Sequence, residues 1–413
     1  MKRIFSLLSL FLILSFAASS KSYSDSTAVN FIGINTEYFF GSNALTNELG
    51  SAYFRNSFIT DDMKDQVSPK LKDKNYFGAG FSAGVQYKHK PDSMFGLRHV
   101  WYEVNFSNNY HFSSDFSKDV FEIYFRGNKN YANKTADLSD LLFRQLNYQQ
   151  ATFTFGHWFR HETNIIEWWG GFGINKGQKY LLIEAPRATV FTSEFGDYID
   201  LDANLHIHRS DSVKNNITDV NGLGGTMQFG FKWTDSKKRL LRVQASNIGF
   251  ISWNSKSSFV TADTAFRFEG VDISELFNFA DTVESSINLD SSLVQPYLKN
   301  RTYLAETTWL PATLQVSYSI PVKKKWTMET GLSQTFNAES KLLIYQLHTY
   351  TITSNHTAAL KLRYGGYSGF HIGLSYQYSR QGWRLRIGSD YVDALFLKNG
   401  RAQGAFVSLG KYF

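Results

Sequence analysis

Polar and apolar positions alternate along most of this chain, and the alternation is strict. In FHIGLSYQYS, Phe370, Ile372, Leu374, Tyr376 and Tyr378 share one phase, and His371, Gly373, Ser375, Gln377 and Ser379 share the other. ATLQVSYSI sets Ala312, Leu314, Val316, Tyr318 and Ile320 against Thr313, Gln315, Ser317 and Ser319. FGAGFSAGVQY sets Phe77, Ala79, Phe81, Ala83, Val85 and Tyr87 against Gly78, Gly80, Ser82, Gly84 and Gln86. A period of two is the signature of a strand with two unlike faces. Segments of this kind fall at 29 to 40, 77 to 90, 95 to 107, 149 to 160, 165 to 175, 199 to 209, 222 to 234, 239 to 253, 257 to 269, 311 to 321, 325 to 336, 356 to 365, 370 to 380, 383 to 392 and 402 to 413. HKPDSM, TDSKK, PVKKK and SRQG read as short polar turns between them.

The polar phase separates two architectures. The outer face of a soluble sandwich is dominated by Lys and Glu, whereas here the polar phase is mostly Gly, Ser, Thr and Gln, as a crowded or water-filled lumen requires. Aromatic residues gather at segment ends (Tyr38 to Phe40, Trp101 and Tyr102, Trp158 and Phe159, Trp168 and Trp169, Trp326, Trp383), where a barrel wall meets lipid headgroups. The fold class expected is all-β, a transmembrane antiparallel barrel. Fifteen segments are found and bacterial barrels are usually even-numbered, so the expectation is about 14 strands.

Three stretches depart from the alternation and read as helices: 43 to 67, 136 to 147, and 271 to 289, where Ile273, Leu276, Phe277 and Ala280 recur at helical spacing after Asp272. They are expected as insertions that either fold into the lumen or project from the rim. Nothing rich in Pro or Gly divides the chain and no repeat is present, so one barrel domain over 25 to 413 is expected.

MKRIFSLLSLFLILSFAASSKSYS has a basic start, an apolar run and small residues at Ala17 to Ser20, the layout of a secretory signal peptide over 1 to 24. The apolar run is shorter than the roughly 20 residues of a membrane-spanning helix, and no later segment reaches about 18. A membrane location then demands a barrel, because only helices and closed sheets satisfy every backbone group in lipid. The chain has 0 Cys, which excludes disulfides and cysteine-linked lipid. Its formal charge of +7 loses Lys2, Arg3 and Lys21 with the leader, and the remaining +4 is too mild for a nucleic-acid partner.

The last strand ends GAFVSLGKYF. Phe413, Leu409 and Val407 share the lipid-facing phase, with Lys411 as the exception. A terminal aromatic after alternating apolar residues resembles the signal read by the outer-membrane barrel assembly machinery of Gram-negative bacteria. The expected location is therefore the outer membrane, with lipids and lipopolysaccharide as surroundings and the assembly machinery as a partner.

NALTNELGSAYFRNSFITDDMKDQVSPKL and SFVTADTAFRFEGVDISELF resemble segments of an uncharacterised outer-membrane barrel family of Bacteroidota, a domain of unknown function distantly similar to long-chain fatty acid transporters and to conjugal-transfer TraF-like barrels. The resemblance covers nearly the whole mature chain. It implies a barrel of about 14 strands with inward-folded helical pieces, and it carries no catalytic or ligand residues.

Candidate chemistry lies on the inward phase. With Leu360, Leu362 and Tyr364 toward lipid, Lys361 and Arg363 point inward; with Trp383, Leu385 and Ile387 toward lipid, so do Arg384 and Arg386; Lys232 and Arg242 take the same phase on their strands. On the lipid face such charges would each cost roughly 2 to 4 kcal/mol near the midplane. A positive lumen wall favours anionic solutes; the alternative is a structural network with Glu103, Glu329 and Asp390 neutralising the same cations. HIHRSD places His206 and His208 on one face, and His208 with Ser210 resembles the His-x-Ser of lipid A deacylase barrels, yet no third ligand or orienting acid accompanies them. His157 and His161 are four apart on a strand end, where that spacing has no metal-binding meaning. No metal, no cofactor and no enzymatic activity are expected. The function expected is a channel or transporter for small anionic or amphipathic solutes. The alternative is a non-conducting barrel that anchors or assists a secretion or surface-assembly complex.

Overall fold

The computed structural model describes residues 29–211, 217–269 and 301–413. The leader expected at 1 to 24 and the helix expected at 271 to 289 lie outside the described residues. Fourteen antiparallel strands close into a barrel: β1 (Asn30–Ser42), β2 (Lys74–His89), β3 (Val100–Ser117), β4 (Leu141–His161), β5 (Asn164–Thr192), β6 (Gly222–Thr234), β7 (Leu240–Trp253), β8 (Ala312–Lys323), β9 (Trp326–Phe336), β10 (Lys341–Thr351), β11 (His356–Gly366), β12 (Ser368–Arg380), β13 (Trp383–Ser389) and β14 (Ala402–Tyr412). Each pairs with its neighbour in sequence, and β14 returns to β1 with Ile34 opposite Leu409 and Thr36 opposite Val407. Beyond the ladder, Asn30 N donates to Phe413 O at 2.9 Å and Phe413 N to Asn30 O at 3.0 Å. The last residue is thus fixed by the first strand, and no sheet edge faces lipid.

The apolar phase is the outer face. Phe172, Ile174, Tyr364, Phe370 and Leu374 are all more than half exposed, whereas their polar-phase neighbours are half-buried or buried. At one rim the turns are short. Gln381 and Gly382, both at positive φ, form the two-residue link between β12 and β13, whose twist suits a hairpin. The opposite rim carries the long excursions. There β4 and β5, 21 and 29 residues long, run far past the 9–11 residues a bilayer requires.

The sequence pattern and the structure differ in several places. The segments at 199 to 209 and 257 to 269 are strands, Tyr198–Arg209 and Ser258–Glu269, but they stand outside the wall. They extend the projecting end of β5 beyond the wall, within the same continuous sheet. The wall strand β10 has no counterpart among the expected segments, because KLLIYQLHTYT is apolar on both phases: Leu343, Tyr345 and Leu347 line the inside. The helix expected at 136 to 147 is instead the strand pair Lys134–Asp137 and the start of β4. Both faces of that stretch are covered, Leu141 against an outer cluster and Leu146 against an inner one, and burial on both sides erases the period of two.

The helices α1 (Asn47–Phe54) and α2 (Asp61–Val67) fall within the stretch expected as helical, capped by Thr46 and Thr60. A third, α3 (Lys118–Arg126), had been hidden in an aromatic run and starts from the Ser117 cap. None of the three enters the lumen. Leu49, Val67 and Phe121 pack with Phe40, Ala79 and Phe116, all on the outward phase above the wall. The inward-folded helical pieces that the family resemblance implied are, for α1 and α2, outward-packed instead.

Candidate functional site

Among the described residues, what enters the lumen at the long-loop rim is not helix but turns and loop ends. The turn between β9 and β10 crosses to the far side. Its Glu339 carboxylate lies 3.6 Å from Arg144 on β4, accepts a hydrogen bond from Ser113 on β3, and is 7% exposed. Arg144 also donates to the Asn337 carbonyl, and Asn337 Nδ2 donates to Leu310 O at 3.1 Å. β3 and β4 lie almost opposite β9 and β10 in a ring of fourteen, so these contacts span the barrel. A second inward piece is Tyr367, in the tight turn from β11 to β12. Its ring rests on Gly78, where any Cβ would overlap it, and stacks on Phe39 with centroids 6.0 Å apart. A third is an apolar cluster of Leu146, Tyr148, Tyr180, Ile251, Trp253 and Leu310. Gly177 leaves room for the Trp253 ring there, and Trp253 Nε1 donates to Thr308 Oγ1 at 2.9 Å.

A cavity of about 250 Å³ lies beside the crossing turn, lined by Glu37, Ser340, Arg363, Tyr367, Asp390 and Phe406 among others. Its floor exists because β13 is only seven residues long. The strand expected to reach 392 stops at Ser389, and the chain then turns inward, placing Asp390 and Tyr391 inside. Val392 N donates to Ile372 O at 2.8 Å and Ile372 N donates to Asp393 Oδ1 at 2.9 Å, so the exposed edge of β12 is satisfied without a strand. The loop is held from outside by α1, where Asn47 Nδ2 donates to Ala394 O at 2.7 Å and Ala402 O at 2.9 Å.

The six inward cations fall into two groups. Near the short-turn rim, Lys232 is 3.0 Å from Glu167, which also accepts from Trp101 Nε1 at 3.0 Å, while the Lys88 ammonium lies 3.4 Å from the Trp101 ring centroid. Arg242 stands opposite Lys232 in register, and its Nε has no acceptor among the described residues. Beside the cavity, Asp390 Oδ2 takes both Lys361 at 2.6 Å and Arg363 at 3.0 Å. Arg363 stacks on Tyr391 at 4.5 Å and Arg386 on Phe406 at 5.0 Å, whereas Arg384, next to the β12–β13 turn at the short-turn rim, donates to Tyr412 OH at 2.7 Å. Of the neutralising acids expected, Asp390 takes that role. Glu329 accepts from Tyr345 OH at 2.9 Å, and Glu103 stands opposite Lys88 in register. Glu167, Glu37, Glu339 and Arg144 had no mark in the sequence beyond being single charges in strand or turn; Glu167 pairs across to the next strand, and Glu339 with Arg144 across the barrel.

The histidines separate. His208 Nδ1 is 2.8 Å from Glu306, on a short strand paired with β7, and its ring lies against Phe259 on the projecting strand, whereas Ser210 Oγ accepts from Tyr180 N at 3.0 Å. His206 packs edge-on to Phe259, and His157 stacks with Phe159 at the outer belt. Among the described residues no group of three or more His, Asp or Glu is arranged to hold a metal. Val407 and Phe413 are exposed on the outer face and Leu409 is half-buried beside them.

With this geometry in place, the comparisons can be set against it. The model of a family of unknown function, DUF5723, matches residues 164–390, more than half of the chain. The chain belongs to this family. No curated protein matches it. Similar solved structures include the deltaS2S3 mutant of the TodX monoaromatic hydrocarbon channel, with TM-score 0.48, 8% identity and 96% of each chain covered. The Ralstonia pickettii toluene transporter TbuX has TM-score 0.45 and 7% identity, over 94% of this chain and 90% of that one. The translocator domain of autotransporter NalP from Neisseria meningitidis has TM-score 0.34 and 10% identity, over 100% and 95%. The closed antiparallel barrel of this DUF5723 member rests on its own strand pairing.

Proposed function

We propose that the protein is an outer-membrane transporter that passes small anionic or amphipathic solutes through its lumen. The observation that carries this reading is the cavity beside the crossing turn, walled by cation and aromatic pairs rather than packed solid. Arg363 on Tyr391 and Arg386 on Phe406 give it one charged and one apolar aspect, the combination that suits an amphipathic solute. The inward cations lie at different heights along the lumen, Lys232, Arg242 and Arg384 toward the short-turn rim and Lys361, Arg363 and Arg386 beside the cavity. The neighbours whose printed names include a hydrocarbon channel and a toluene transporter agree with passage of small molecules and do not choose the solute. Uptake of a small carboxylate into liposomes holding the refolded barrel, compared with empty liposomes, tests the reading; equal rates in the two would overturn it.

A second reading has an observation of its own. The helices α1 to α3 pack on the outward face and leave Phe58 and Phe396 almost fully exposed at the long-loop rim. A barrel that anchors a surface complex would present such elements. Loss of a co-purifying protein on Phe58→Ser and Phe396→Ser substitution, with solute flux at the level of empty liposomes, would favour it.

A further inference from the structure

The cavity wall carries an uneven set of charges. Glu37 lies in the combined field of Asp390, Lys361, Arg363 and Arg386. With Lys341, which also lines the cavity, four cations stand against two carboxylates, so the balance there is positive. Lys341, at the mouth, turns its ammonium toward the Tyr76 ring at 5.3 Å. Arg363 is the most enclosed of the cations, 8% exposed, and although one nitrogen is committed to Asp390, its Nε has no acceptor among the described residues. A buried guanidinium N–H without an acceptor is an energetic liability unless something supplies one. Around it the surfaces are aromatic: Tyr391 on the guanidinium, Tyr367 and Phe406 on the other walls. The space of about 250 Å³ holds on the order of eight waters, below the roughly 300–1,000 Å³ of drug-sized pockets.

We infer that this cavity is a binding site for a compact monocarboxylate with an apolar or aromatic body, its carboxylate toward the Arg363 guanidinium and its body against Tyr391, Tyr367 and Phe406. This rests on the transport reading and narrows it to a solute class and a place. An anion matches the positive balance, the small volume and aromatic walls suit one carboxylate on an apolar body, and a neutral analogue would leave the guanidinium unmet. Arg386, which is exposed to the lumen, supplies the approach field, and Phe406 beneath it closes the apolar side.

The test is isothermal titration of the refolded full chain in detergent with benzoate, benzyl alcohol and chloride, folding being checked by heat-dependent gel migration. Benzoate is expected to bind, and benzyl alcohol and chloride to bind about tenfold more weakly or not at all. Arg363→Gln is expected to weaken benzoate by about tenfold or more. Should that variant fail to fold, Phe406→Trp, which fills the cavity without altering its charge, is expected to abolish benzoate binding. Equal affinity for benzoate and benzyl alcohol, benzoate binding that survives either folded variant, or no benzoate binding by the folded wild type would overturn the site. Liposome flux measured in parallel separates the two claims: binding without flux keeps the site and sinks transport, whereas flux without binding keeps transport and sinks the site.

Discussion

Arg144 and Glu339 approach to 3.6 Å from opposite sides of the barrel, one on β4 and the other in the turn between β9 and β10. Both are largely buried, and the pair, with Ser113, holds that turn across the lumen. Removing one partner would strand the other charge, which makes such a latch sensitive to substitution.

The first prediction follows from that latch. Arg144→Ala together with Glu339→Ala removes both charges and so avoids an unpaired one. The turn is expected to lose its hold on β3 and β4, and single-channel currents to become larger and more frequent than in the wild type. Identical currents would show that the crossing turn does not limit passage.

The second concerns the charge cluster near the short-turn rim. Glu167 is the carboxylate paired to Lys232 and bonded to Trp101, with Lys88 close by. Glu167→Gln leaves the cations uncompensated, so the reversal potential under a KCl gradient is expected to move toward chloride preference. The barrel is also expected to lose about 1 kcal/mol or more of stability from the broken, partly screened pair.

The third tests the lumen packing through a matched pair of glycines. A Cβ at Gly78 would overlap the Tyr367 ring, whereas one at Gly170 meets nothing within 4 Å. Gly78→Val is expected to destabilise by about 1–3 kcal/mol, measured by urea unfolding in micelles, and Gly170→Ala to be near neutral.

The fourth tests the outer face at the closing seam. Ile34 is 52% exposed and paired with Leu409. Ile34→Arg is expected to cost roughly 2–4 kcal/mol in lipid if it sits near the midplane. The inward neighbour Asn35→Arg is expected to be tolerated far better, and equal losses would contradict the assignment of faces.

Much of the wall could be read from the alternation, because a face in lipid and a face in a polar lumen impose opposite choices at successive residues. That logic placed thirteen of the fourteen strands and failed where a third environment intruded. The inner face of β10 is apolar, so Leu343, Tyr345 and Leu347 masked its period. Leu141 and Leu146 are covered on opposite sides, so a strand imitated a helix. The strands Tyr198–Arg209 and Ser258–Glu269 alternate for a different reason, being an exposed sheet with one packed face. Of the candidate site, the inward cations were legible from phase alone. Of their partners, Asp390 was expected and Glu167, opposite Lys232 on the next strand, was not, while Glu339, Tyr367 and Tyr391 reach the lumen through turn geometry that brings together residues more than two hundred positions apart.

Uptake of benzoate by liposomes containing the refolded protein tests the central claim most directly, measured for the wild type, the Arg144→Ala/Glu339→Ala variant and protein-free vesicles. The account predicts uptake above the protein-free rate for the wild type and a further rise when the latch is removed. Uptake at the protein-free rate for both proteins, each shown to be folded, would contradict it.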